Sequence, residues 1–254
     1  MQILADTDGY AYPGFMPGTY DDIAPLRRGD EADGDQTTAG GSPSRTDRVP
    51  ITVLEPEGNA RGGIVLLHES RERGGALRDL MTALAAEGWT VVTPDLFHRG
   101  TGESEVFGDE LFDDFDACFD WLTAHGVFPD CVGVLGFDTA GTAAFLVATN
   151  RRIGAAVSVG ASGLTEPLTA EAEALVQAAP RLQAPWLGLF GADAPADEVE
   201  KLRDAGAAAA VATLVVTYPD AKHRADRPAG DEDDDPVRVD AQTRIFDWFD
   251  SNLR

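Results

Sequence analysis

The chain has 254 residues, 43% of them hydrophobic, with a formal net charge of −24 and a pI near 4.3. This length and apolar content suit one globular domain with its own core. A surface this acidic would repel nucleic acid and anionic membranes, so neither is expected as a partner.

The sequence gives no sign of export or membrane insertion. No apolar run approaches the roughly 18 residues needed to cross a bilayer. The N-terminus lacks a basic region followed by an apolar stretch, so no secretory signal is predicted. Neither Cys118 nor Cys131 has a Cys or His at ligand spacing, and both are expected in the core. We therefore expect a cytoplasmic protein without a metal or other cofactor, either a monomer or a homodimer.

Residues 1–48 differ in composition from the rest of the chain. Aromatic residues among prolines and glycines in residues 1–29 predict an irregular arm packed on the body. Residues 30–48 are polar, acidic and glycine-rich, which predicts a flexible loop. The sequence therefore divides into an arm with an acidic loop at residues 1–48 and a domain at residues 49–254.

Strand and helix patterns alternate from residue 50 onward. Strands are predicted at residues 51–54, 63–67, 90–93, 132–137, 155–159, 186–190 and 211–218. Helices are predicted at residues 75–86, 109–124, 140–149, 196–206 and 237–252, with a helical insertion around 169–179. This alternation predicts an α/β fold with a mostly parallel sheet flanked by helices on both faces. Functional residues are expected where the strands end.

Residues 133–141, GVLGFDTAG, have the pattern of a turn that presents a nucleophile. An apolar strand precedes the turn, an alanine-rich helix follows it, and small residues flank the central position. That position holds Asp138 where a serine or cysteine would be expected. The alternative nucleophile Ser162 is disfavoured, because Leu164 stands where its turn needs a second small residue.

Two further strand ends carry the residues that such a turn needs as partners. Asp193 follows the strand at 186–190, and His223 follows the strand at 211–218. Histidine moves protons near neutral pH, and the order acid then histidine is the one expected after the turn. Asp197 and Asp220 are alternatives for the acid.

Six segments together resemble the dienelactone hydrolase family of α/β-hydrolases. They are IVLLHE (64–69), LAAEGW (84–89), VVTPDLFHR (91–99), GVLGFDTAG (133–141), LGLFGAD (187–193) and YPDAKH (218–223). The resemblance runs from about residue 51 to the C-terminus. It implies the α/β-hydrolase fold and hydrolysis of ester or lactone bonds in a small molecule.

The resemblance also implies roles for individual residues. His223 would be the base, Asp193 its orienting acid, and Glu69 the residue that interacts with the nucleophile. Arg99 and Arg227 would hold a substrate carboxylate, which suits the guanidinium fork. The backbone amides of Thr139 and Ser70 would form the oxyanion hole. The departure from the family is Asp138, at the position of the family's cysteine.

An aspartate in this position changes the chemistry. Its carboxylate is ionised at neutral pH and needs no base to activate it. Attack on an ester carbonyl would give a reactive mixed anhydride, whereas attack on a saturated carbon gives an ordinary ester. Haloalkane dehalogenases and epoxide hydrolases resemble the second arrangement. However, dehalogenases carry Trp where this chain has Thr139, and a His-Gly motif where it has His68-Glu69.

Three functional hypotheses follow. The chain is a dienelactone-hydrolase-type enzyme with altered nucleophile chemistry, a non-catalytic relative that binds a ligand or partner, or an Asp-nucleophile enzyme acting on carbon–halogen or epoxide bonds.

If Glu69 lies beside Asp138, repulsion between the two carboxylates should raise the pKa of one of them. The acidic segment 230–236 lacks the spacing of a calcium loop and is predicted to be solvated.

Overall fold

The computed structural model describes residues 18–27, 48–68, 75–99, 109–169, 173–219 and 236–253. The strands are β1 Thr19–Pro25, β2 Arg48–Leu54, β3 Gly62–Leu67, β4 Trp89–Pro94, β5 Val132–Phe137, β6 Ala155–Val159, β7 Trp186–Gly191 and β8 Thr213–Tyr218. The helices are α1 Gly75–Ala86, α2 Asp109–Ala124, α3 Asp138–Asn150, α4 Leu175–Ala178, α5 Ala196–Gly206 and α6 Pro236–Asn252.

The eight strands form one sheet in the order β1-β2-β4-β3-β5-β6-β7-β8. β2 is antiparallel to both of its neighbours, and all other neighbouring strands are parallel. β2 is therefore the one strand of this sheet that runs in the reverse direction. The predicted mostly parallel α/β fold is confirmed, and the predicted strands and most of the predicted helices lie within a few residues of the observed ones.

The prediction of an irregular N-terminal arm is wrong for residues 19–25. These residues form β1, which pairs with β2 along its full length. The sequence TYDDIAP is a poor strand by composition, but an edge strand tolerates charges and a proline. Long-range hydrogen bonds fix it: Thr52 Oγ1 donates to Asp21 Oδ1 (2.6 Å), and Trp121 Nε1 donates to Asp22 Oδ2 (2.9 Å). The remainder of residues 1–48, apart from 18, 26, 27 and 48, lies outside the described residues.

Helices cover both faces of the sheet, so alternate residues of each central strand belong to different cores. Val65 and Val134 pack with α2 and α3 on one face, whereas Ile64 and Leu135 pack with α1 and α6 on the other. Glycines let two helices approach closely. A Cβ on Gly63 would meet Leu122 of α2, and one on Gly133 would meet Phe249 of α6, each at 2.7 Å.

The insertion between β6 and β7 is less helical than predicted. Among its described residues, which exclude 170–172, only α4 and the 3-10 turn Ala179–Arg181 that follows it are helical. Both cysteines are buried, as predicted, and burial raises the pKa of the Cys118 thiol well above its usual value. Among the described residues, no helix combines the length and apolar character that crossing a membrane requires.

Candidate active site

The turn after β5 holds Asp138 in a strained backbone conformation. Asp138 is the first residue of α3 and has a φ of 51°. Among the described residues it is the only one other than glycine with a positive φ. This left-handed conformation costs an L-residue roughly 1–2 kcal/mol. The fold therefore tolerates local strain at the residue that the sequence singled out.

The small residues around Asp138 are required by close backbone contacts. A Cβ on Gly136 would lie 2.0 Å from the carbonyl oxygen of Ala140. A Cβ on Gly141 would lie 3.1 Å from the carbonyl oxygen of Val159 on the neighbouring strand β6. The strand, the turn and the first turn of α3 are thus packed backbone against backbone. This is the sharp strand-to-helix elbow that the sequence predicts.

Buried hydrogen bonds hold the beginning of α3 against β6. Ser158 Oγ donates to the Gly141 carbonyl (2.7 Å) and accepts from Trp186 Nε1 (3.0 Å). At the next residue of α3, Thr142 Oγ1 donates to the Ser162 carbonyl (2.8 Å) and accepts from the Ser162 amide (3.0 Å). These contacts fix the direction of the helix axis behind Asp138.

The beginning of α3 is suited to binding negative charge. The cap residue Phe137 is extended and supplies no side-chain hydrogen bond to the helix. The first amides of a helix have no acceptor within the helix, and the helix dipole adds partial positive charge there. Asp138 and Thr139 are both partly buried at this end. The Thr139 amide lies in this first turn of α3.

The sheet register brings the other predicted segments to the same edge. Leu67 of β3 pairs with Gly136 of β5, so His68 follows level with Phe137. Glu69 and Ser70 come next in the chain but lie outside the described residues. Gly191 of β7 pairs with Tyr218 of β8, and Asp193 is exposed in the turn two residues later. His223 and Arg227 also lie outside the described residues, so their proximity to Asp193 and Asp138 remains a prediction.

A hydrogen-bonded group connects the end of β8 with the beginning of α6. Tyr218 Oη donates to Asp240 Oδ2 (2.8 Å), and Arg244 Nε donates to the same oxygen (2.7 Å). Burial and the bond to Asp240 raise the pKa of Tyr218 to about 12. The bonds from Arg244 and Tyr218 lower the pKa of Asp240. This group therefore joins the end of β8 to α6, the two elements between which His223 lies in the sequence.

Arg99 is held by a carboxylate that sequence reasoning missed. Asp114 of α2 accepts from Arg99 Nη1 (2.9 Å) and Nη2 (2.6 Å), and Oδ1 also lies 3.2 Å from His98 Nε2. The Asp114 side chain is only 2% exposed. One signal for it was available: Asp114 lies three residues after Leu111 and four before Cys118, on the apolar face of α2. An acid on such a face needs a partner.

The rival acid Asp197 has a different role in the structure. It is exposed at the start of α5 and forms an ion pair with Lys201 at 3.2 Å. Asp220 is outside the described residues. In the part of the chain that the structure describes, no group of three or more His, Cys, Asp or Glu side chains could hold a metal ion.

The sheet order, the single reversed strand and the elbow after β5 define an α/β-hydrolase. The sequence model of the dienelactone hydrolase family matches residues 50–253. A Salmonella typhimurium protein named "putative carboxymethylenebutenolidase" is 28% identical over 236 residues, covering 82% of this chain and 84% of that protein. The chain belongs to the dienelactone hydrolase family and is a hydrolase.

Solved structures agree with this fold. A Klebsiella pneumoniae protein named "putative dienelactone hydrolase" has a TM-score of 0.71 at 22% identity, covering 92% of this chain and 99% of that chain. The dienelactone hydrolase of Anabaena variabilis has a TM-score of 0.62 at 20% identity, covering 94% of this chain and 100% of that chain.

Proposed function

We propose that this protein hydrolyses an ester or lactone bond in a small, carboxylate-bearing molecule, with Asp138 at the reacting position. The supporting observation is the backbone of Asp138, whose φ of 51° is unique among the described non-glycine residues. Strained residues of this kind persist where the surrounding structure enforces them, and they cluster at active sites. Family membership supplies the reaction class.

The proposed reaction uses Asp138 as a general base rather than as an acyl acceptor, because a mixed anhydride would be high in energy. The carboxylate takes a proton from water while the water oxygen bonds to the substrate carbonyl carbon. The amides of Thr139 and Ser70 stabilise the oxyanion that forms. When the carbon–oxygen bond to the leaving group breaks, the protonated imidazole of His223 gives the alkoxide a proton, and Asp193 orients His223. His223 then takes the proton that Asp138 removed from water, which restores both groups. One water is consumed, and the products are an acid and an alcohol.

Glu69, Arg99 and Arg227 complete the proposal. In this proposal Glu69 would lie beside Asp138, and the two carboxyl groups would act together as base and acid on the attacking water. The two arginines bind the substrate carboxylate away from the scissile bond. The carboxyl ends of β4 and β5 are separated by one intervening strand, or about 10 Å. This separation suits a small substrate with its reacting bond and its carboxylate at opposite ends.

A second function is favoured by the carboxylate at the elbow itself. Asp138 could attack a saturated carbon and displace a halide or open an epoxide, and water would then cleave the resulting ester. The two routes differ in the group that receives the oxygen atom of the attacking water. In single turnovers in heavy-oxygen water, the second route transfers the label into the Asp138 carboxylate. The general-base route leaves Asp138 unlabelled.

The decisive variant is Asp138→Asn, which keeps the size and tolerates the same backbone conformation. Loss of a general base should lower kcat/KM for an activated aryl ester or a lactone by about 100-fold or more. A variant as active as the parent would contradict the role of Asp138. If the parent hydrolyses no ester, lactone, haloacid or epoxide, the chain would instead be a non-catalytic ligand-binding relative.

A further inference from the structure

Asp114 is a buried carboxylate next to Arg99, the arginine proposed to bind the substrate carboxylate. Its side chain is 2% exposed, whereas that of Arg99 is 21% exposed. Each of its carboxylate oxygens accepts a hydrogen bond from one terminal nitrogen of the Arg99 guanidinium. A bidentate pair of this kind fixes the plane of the guanidinium as well as its position. The contact immobilises a side chain that otherwise has many rotamers.

The bond to Asp114 leaves part of the Arg99 donor set unused. A guanidinium has five N–H donors, and Asp114 uses one on each terminal nitrogen. No other hydrogen bond of Arg99 occurs among the described residues. The Nε side of the fork is therefore left for a second acceptor.

The protein itself contains a guanidinium shared in this way. Arg27 donates to Asp120 through Nε (2.7 Å) and Nη2 (2.6 Å) and to Asp116 through Nη1 (3.2 Å). One arginine thus binds two carboxylates with different edges of the same fork. Arg99 has the corresponding Nε edge, and a ligand carboxylate would occupy the place that Asp120 has on Arg27.

We propose that Asp114 is a positioning residue that holds Arg99 with its outer edge presented to a carboxylate of the substrate. His98, whose side chain is 5% exposed, also contacts Asp114, with Nε2 3.2 Å from Oδ1. This inference rests on the proposed function, because it requires a carboxylate-bearing substrate. It adds a residue that acts on substrate choice without contacting the substrate.

The test compares two ligands that differ by one charge. Monomethyl glutarate, an anion, and dimethyl glutarate, which is neutral, are titrated calorimetrically; mono-para-nitrophenyl glutarate and its neutral methyl ester are assayed for KM and kcat. In Asp114→Asn, Kd and KM for the anionic ligand should rise about tenfold, while those for the neutral ligand and kcat should stay within about twofold. Asp114→Glu retains the buried charge but displaces the Arg99 guanidinium. It should show the same loss of preference for the anionic ligand over the neutral one.

Asp116→Asn is the matched control. Asp116 is also buried on α2 and forms a bidentate pair with Arg151, but Arg99 is not among its partners. This variant should lose about as much stability as Asp114→Asn does, and it should keep the preference for the anionic ligand. Tighter anion binding in Asp114→Asn would show that Asp114 neutralises Arg99, and equal effects on both ligands would show a structural role. Either result overturns the proposal.

The calorimetric arm separates this proposal from the proposed function. If neither para-nitrophenyl ester is hydrolysed but monomethyl glutarate binds the parent more tightly than it binds Asp114→Asn, only the hydrolytic function fails. If the parent binds monomethyl glutarate no more tightly than dimethyl glutarate, the carboxylate-bearing substrate is wrong, and the role of Asp114 is overturned with it.

Discussion

Gly136 and Ala140 meet backbone to backbone across the elbow. A Cβ placed on Gly136 would be 2.0 Å from the Ala140 carbonyl oxygen and 2.5 Å from its carbonyl carbon. Real atoms do not approach so closely, and the opposing atoms are main chain rather than a movable side chain. The position two residues before Asp138 therefore admits only glycine, and the sharpness of the turn depends on it.

Gly136→Ala should therefore destabilise the protein strongly. Either β5 or the first turn of α3 must move, and such overpacking costs about 1–3 kcal/mol or more. Urea denaturation would measure the loss, and hydrolysis should fall with it because Asp138 shifts. Gly75→Ala is the control: nothing lies within 4 Å of its added Cβ. That variant should be neutral or slightly stabilising, and equal losses in both variants would contradict the argument.

At residue 138 the usual order of helix formers should be reversed. Alanine is normally more stable than glycine in a helix by about 1 kcal/mol. With a φ of 51°, Asp138→Gly should instead be more stable than Asp138→Ala by roughly 1 kcal/mol, because glycine adopts this conformation without strain. Glu200 is exposed in α5, and there the ordinary order should hold, with Glu200→Ala more stable than Glu200→Gly. The same order at both positions would show that residue 138 is unstrained.

The central sheet could be predicted because its strands are apolar without alternation. Segments such as 63–67 and 132–137 are buried on both faces, and that pattern is visible in the residues themselves. β1 could not be predicted in this way. Its two aspartates are held by Thr52 and Trp121, which lie 31 and 99 residues away along the chain. Such partners are known only once the fold is known.

The elbow was also visible in the sequence, since it depends on local spacing of small residues. The group around Arg99 was not, because Arg99 follows β4 whereas its partner Asp114 comes from α2. A family resemblance marks Arg99 as a substrate ligand and says nothing of Asp114. Only the packing of α2 against the end of β4 brings the two together, in a contact with both terminal nitrogens.

The bond between Tyr218 and Asp240 predicts a pH dependence of stability. The pKa of Tyr218 is raised from 10.0 to about 12, first by burial and then by Asp240. Because the folded state holds this proton more tightly, the stabilisation is complete below pH 10 and is lost as the pH rises through about 12. Denaturant titrations across that window should show the free energy of unfolding decreasing, and less steeply in Tyr218→Phe.

Tyr20→Phe provides a comparison at the opposite edge of the sheet. Tyr20 donates to Glu55, and its pKa is also raised to about 12. Both variants should therefore flatten the alkaline part of the curve. Only Tyr218→Phe should also lower hydrolysis near neutral pH, because Tyr218 ends the strand that leads to His223 in the sequence and bonds it to α6. Equal hydrolysis in both variants would contradict this positioning role.

Asp138→Cys should give the elbow the nucleophile that the family uses. The new thiol would lie at the N-terminus of α3, beside His223 if the predicted triad is right, and both surroundings favour the thiolate. We expect this variant to hydrolyse a para-nitrophenyl ester at least about tenfold faster than the parent, with a burst of nitrophenol as the acyl-enzyme forms. Cys118 and Cys131 are buried, so alkylation with iodoacetamide should modify the new thiol first and abolish the gain.

The control for this prediction is Asp138→Cys combined with His223→Ala. If the single variant is no faster than the double variant, His223 does not serve this position, and the proposed triad is wrong.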